Sequence, residues 1–135
     1  MLTLSEVIDA HGVEVHEHLM RDAEVVVSSG LQRQGDVIVI PSNATATETI
    51  PAAGVPVVRG ENGGNTHLLL AGSQGVFYSP IATRTGSLDI GALKVEPGAT
   101  AYLAHPEHGY MGIGVGTYTI RRQREQADVI RVVAD

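Results

Sequence analysis

The chain contains six histidines and no cysteine, so metal or proton chemistry falls to imidazole and carboxylate groups, and disulfides and thiolate ligands are excluded. Two of the histidines stand close together in His105-Pro106-Glu107-His108-Gly109. Imidazole nitrogen and carboxylate oxygen are good ligands for divalent transition metals, and catalytic sites of that kind usually use three protein ligands with one position open. Strand alternation sends residues three apart to opposite faces, whereas a proline-bent turn can aim His105 and His108 to the same side. His67 follows the glycine-rich stretch "GENGGNT" and opens an apolar run. The expected metal ligands are therefore His67, His105 and His108, with Glu61 or Glu107 completing the set and a divalent transition metal as the cofactor. The same five residues from 105 to 109 also read as a plain polar turn between two strands, and both readings stay open.

A second constellation is "TYTIRRQRE", residues 117–125. In a strand, Tyr118, Ile120, Arg122 and Arg124 share one face. Such a face suits a carboxylate, a phosphate or a base edge, which makes Tyr118, Arg122 and Arg124 candidate binding residues, alongside Glu61 and Glu107 near the histidines. The plainer reading is a solvated strand with its arginines paired to acidic neighbours. A formal net charge of −6 argues against nucleic acid, whose binding rests on an excess of Lys and Arg over phosphates. The Gly-rich stretch 60–67 lacks the Gly-Lys-Ser/Thr ending of a phosphate loop. No serine sits in a nucleophile elbow.

The elements that position these residues are mostly strands. Of the 135 residues, 43% are hydrophobic but only 4% aromatic, and 16 are glycine, a composition suited to compact β-structure with many turns. "TLSEVIDAHG" predicts a short helix capped by Thr3 or Ser5, with Leu4, Val7 and Ile8 on one face and Gly12 as its stop. Residues 13–23 favour a short helix or irregular segment, followed by an extended "EVVVS". Gln34-Gly35-Asp36 is a turn that launches "VIVIP", and residues 42–54 form a surface loop. Further strands are "VPVV", "HLLLA", "GVFYSP" (paired with "HLLLA" through the turn at Gly72–Gly75), "LDIGALKV", "ATAYLAH", "GTYTIRRQRE" and "DVIRVVA". Glycines 112, 114 and 116 suit a bent approach to "TYTIRRQRE".

Turn signals at spacings of roughly 8–12 residues give an all-β fold, a compact small barrel or sandwich of about eight to nine short strands with a short N-terminal helix. One domain spans 1–135, with a helical or irregular segment over 1–30 and a β-rich core over 31–135. The N-terminus has no basic and apolar leader pattern and no apolar run reaches the roughly 20 residues that span a bilayer. The expected compartment is the cytoplasm, with no membrane partner.

Taken together, "RQGDVIVIP", a "GE" loop leading to a histidine, "HPEHG" and "GTYTIRRQRE" resemble a group of small, uncharacterised prokaryotic and phage-associated β-domains over roughly residues 32–125. That resemblance implies a common fold and brings no activity with it. In that group the Gly-Glu loop often runs on to a pair of histidines, where this chain has Asn65-Thr66-His67. A more distant likeness links the chain to cupins, through its size and through Gly91, Pro97-Gly98 and His105 in the order of the second cupin motif, though the histidine lies further from the turn. The leading functional expectation is a small β-domain acting through assembly or binding, as a homo-oligomer. The surplus of apolar strand residues in "VIVI", "HLLLAG" and "VIRVVA" motivates it. The alternative is a cupin-like, metal-dependent enzyme or small-molecule binder using the histidines.

Overall fold

The computed structural model describes residues 2–12, 24–58, 66–81 and 88–123. It contains one helix, α1 (Leu4–His11), and ten short strands: β1 (Val27–Ser28), β2 (Gln32–Gln34), β3 (Val37–Pro41), β4 (Val55–Val58), β5 (His67–Ala71), β6 (Val76–Pro80), β7 (Asp89–Val95), β8 (Ala101–His105), β9 (Gly109–Ile113) and β10 (Gly116–Arg122). Two five-stranded sheets form, in the orders β1-β9-β8-β5-β4 and β2-β3-β10-β7-β6. Neither sheet closes, so the architecture is a sandwich and the barrel alternative is set aside.

Strand alternation explains the core between the sheets. Val37 and Val39 of β3, Leu93 and Val95 of β7, and Tyr118 and Ile120 of β10 point inward from one sheet; Leu69 and Leu103 meet them from the other. The outer face of the first sheet has its own cover. Thr3 caps α1 through a reciprocal capping box with Glu6, and Gly12 ends it in the left-handed conformation, as the sequence predicts. The helix buries Leu4, Val7 and Ile8 against Leu70, Tyr102, Ala104 and Tyr110. That second small core accounts for the continuous burial of β8 and for the burial of Leu70 in β5.

One expectation about strand pairing is corrected. β6 does not pair with β5: its partner is β7, from Val76↔Val95 to Pro80↔Gly91, while β5 lies between β4 and β8. The turn at Gly72–Gly75 therefore carries the chain from one sheet to the other, tied down by Gly72 N–H to the Thr100 carbonyl and Glu96 N–H to the Gly75 carbonyl. The stretch after "HPEH" is also a true strand, β9, which pairs with β8 on one side and in parallel with β1 on the other. Its Gly112 is needed because β1 lies so close: a Cβ there would sit 2.6 Å from Val27 Cγ2 and 2.8 Å from the Val26 carbonyl oxygen. The "DVIRVVA" strand and the helical or irregular segment at 13–23 lie outside the described residues. Among the described residues, no helix is long and apolar enough to cross a membrane.

Candidate functional site

Three chain segments meet at one end of the sandwich. The first is the β2–β3 hairpin, in which Gln34 closes β2 and Gly35-Asp36 form the turn. The second is the start of β5, which carries His67, and the third is the β8–β9 turn, which carries His105 and His108. The imidazole centroids lie 4.3 Å apart for His67 and His105, 4.6 Å for His105 and His108, and 6.0 Å for His67 and His108. His67 and His105 are buried, at 4% and 6% exposure, and His108 is exposed. Gly35 makes room for them. With φ +58, it would place a Cβ 2.9 Å from His108 Nε2 and 3.4 Å from His67 Cε1.

Hydrogen bonds fix which nitrogens carry protons. Gln34 is buried, and its amide Nε2 donates to the carbonyls of Leu103 (2.9 Å) and Gly109 (3.2 Å). Both of its amide hydrogens are thus committed across to the other sheet, and its Oε1 faces His67 Nδ1 at 3.0 Å. A carbonyl oxygen only accepts, so His67 Nδ1 carries the proton and Nε2 keeps its lone pair. His105 is the opposite tautomer: the Glu107 backbone N–H donates to its Nδ1 at 3.1 Å, which places the proton of the neutral ring on Nε2. Burial, first of all, keeps His67 neutral and pushes it down to about 4. The neighbouring His105 and His108 push the same way, and Asp36 opposes them.

Asp36 completes the group. Its Oδ1 lies 3.4 Å from His67 Nε2 and its Oδ2 lies 3.6 Å from Arg122 Nε. The sequence marks Gln34 and Asp36 only as turn residues, and they were not among the expected site residues. The polar alternation of "RQGD" ahead of an apolar strand is the one signal that could have pointed to them, and it does not separate a site from an ordinary hairpin. Beside the histidines a cavity of about 490 Å³ opens. Its lining mixes polar Glu24, Arg33 and His108 with apolar Leu4, Val25 and Met111, and of the three histidines only His108 reaches it.

The expected ligand set is thus brought together as rings but not as converging lone pairs. Among the described residues, no three His, Asp or Glu side chains stand ready to hold a metal ion. His105 shows one reason: its Nδ1 lone pair already accepts from Glu107. Of the expected binding residues, Arg122 reaches the site through Asp36, and Glu107 reaches it through its backbone N–H. Tyr118 does not face a ligand: it is wholly buried in the core, with its hydroxyl donating to the Gly114 and Val115 carbonyls. Arg121 lies on the opposite face, paired to Asp89 at 2.6 Å. Glu61 and Arg124 lie outside the described residues.

The family model of the Domain of unknown function (DUF8820) matches residues 33–123. The chain belongs to that family. The match covers nearly the stretch on which the resemblance was drawn, takes in Gln34, Asp36, His67, His105, His108 and Arg122, and leaves out α1. No curated protein and no solved structure matches the chain.

Proposed function

We propose that this member of the DUF8820 family is a small ligand-binding β-domain whose binding centre is the histidine cluster at the β2–β3, β5 and β8–β9 end of the sandwich. The observation that carries this reading is the convergence of three imidazoles from two separate segments, two of them buried, around a glutamine whose amide is fully committed. Burying polar rings gains less than burying aliphatic side chains of the same volume. A cluster of this kind is therefore poorly explained by the needs of the fold. The adjoining cavity lies within the usual range of small-ligand sites, roughly 300–1,000 Å³, and its lining mixes polar and apolar side chains, His108 among them. The ligand classes that suit it are divalent transition-metal ions and small molecules bearing a carboxylate or phosphate.

A thermal-shift series tests this, with Zn2+, Ni2+, Mn2+, inorganic phosphate and acetate as probes. A ligand that binds the folded state alone stabilises it by about 2.7 kcal/mol at a hundred times its Kd, which raises Tm by several degrees. The expected result is such a rise with at least one probe, reduced in His108→Ala, whose exposed side chain contributes little to packing. If no probe raises Tm, or if the rise is the same in His108→Ala and His67→Gln, the reading is overturned.

A further inference from the structure

Resting on that reading, we infer that the cavity beside the histidines binds a free α-amino acid with an apolar side chain. Arg33 and His108 take its carboxylate, Glu24 takes its ammonium group, and Leu4, Val25 and Met111 hold its side chain.

The cavity has two walls hung on one strand. The Gly112 N–H of β9 donates to the Val26 carbonyl at 3.0 Å, which fixes the wall that carries Glu24 and Val25. The Gln34 amide donates to the Gly109 carbonyl of the same strand at 3.2 Å, which fixes the β2 wall that carries Arg33. Anchors three residues apart on a strand stand about 10 Å from one another. The space of about 490 Å³ between the walls is room for a small molecule.

The charges on the two walls are unmatched. Of the three arginines among the described residues, Arg121 pairs with Asp89 and Arg122 with Asp36, whereas Arg33 has no carboxylate partner. Its Nε donates to the Gly35 carbonyl at 2.7 Å. That bond steadies the guanidinium and leaves its terminal nitrogens for a carboxylate, the group a guanidinium fork fits best. His108 Nε2 lies against the same glycine, so a second hydrogen-bonding group stands at that end. On the other wall Glu24 is exposed, and among the described residues it takes part in no ion pair.

A guanidinium and a carboxylate lining one cavity select by repulsion as well as by attraction. A simple carboxylic acid would bring its charge towards Glu24, and a simple amine would bring its charge towards Arg33. A molecule with both charges on one carbon pairs with both, and its apolar remainder has Leu4 of α1, Val25 and Met111 to cover it.

Titration of the 15N-labelled full chain with L-leucine and L-methionine, followed by 1H–15N correlation spectra, tests the assignment. The controls are 4-methylpentanoate, which lacks the amine, and 3-methylbutylamine, which lacks the carboxylate. The expected result is saturable shifts at Arg33, Gly35 and Met111 with at least one amino acid, and binding at least about tenfold weaker for both controls. Arg33→Gln and Glu24→Gln should each weaken binding by a similar factor. Both side chains are exposed, so the variants keep their fold, which circular dichroism verifies. Absence of saturable shifts with either amino acid overturns the assignment. A control that binds as tightly as the better amino acid, or a variant that binds it undiminished, overturns it as well. Should the amino acids fail where a probe of the thermal-shift series raises Tm, the broader reading stands and this assignment falls.

Discussion

Acidifying the metal-free protein from pH 7 to pH 4 should remove a large part of its stability through His67. In the unfolded chain this imidazole takes up a proton near pH 6.5, whereas in the fold burial and the neighbouring His105 hold it neutral down to about 4. A folded-state value below the unfolded one means that the unfolded chain binds the proton first. Stability is therefore highest above pH 6.5, falls as pH drops through the interval from 6.5 to 4, and loses nothing further from this group below it. At 1.36 kcal/mol per pH unit the full interval is worth about 3 kcal/mol, against a total of roughly 5–15 kcal/mol for a typical domain. Asp36, facing His67 at 3.4 Å, works against the effect, as does any movement that admits water. Urea denaturation across that pH range, in the wild type and in His67→Gln, isolates the contribution as the difference between the two pH curves. His11, also pushed down by burial, cancels in that difference. A difference that stays flat between pH 6.5 and 4, or a His67 ring that titrates near 6.5, refutes the reasoning.

Two further outcomes follow from the packing. Gly112→Val should cost about 1–3 kcal/mol in chemical denaturation, because the new side chain overlaps Val27 and the Val26 carbonyl; an unchanged midpoint would show that β1 is not docked as described. Gln34→Leu should destabilise by about 1–3 kcal/mol or more, since the Leu103 and Gly109 carbonyls and His67 Nδ1 lose a buried partner together; a neutral effect would mean that water takes the place of the amide.

Local signals in the sequence read correctly and long-range ones did not. Thr3, Glu6 and Gly12 mark both ends of α1 because capping is a matter of a few adjacent residues. Gly35-Asp36 marks the hairpin into β3 for the same reason. The pairing of β6 with β7 was hidden, since the turn at Gly72–Gly75 looks the same whether it joins two neighbours in one sheet or crosses between sheets. β9 was hidden by its glycines, which lower strand propensity yet are required by the close approach of β1 at Gly112. The candidate site was half legible. Its three histidines stand out by type and spacing. Gln34 and Asp36 do not, because a glutamine and an aspartate beside a glycine are ordinary turn residues until the fold sets them against a histidine more than thirty positions away. Tyr118 was misplaced because strand alternation tells which residues share a face but not which face is buried.

The claim at the centre of this account is that His67 and His105 are held as opposite tautomers, with the His67 Nε2 lone pair turned to Asp36. A long-range 1H–15N correlation spectrum of the imidazoles in the metal-free protein at pH 7.5 tests it most directly. The predicted result is His67 protonated on Nδ1 alone and His105 on Nε2 alone. His67 protonated on Nε2, or on both nitrogens, would contradict it.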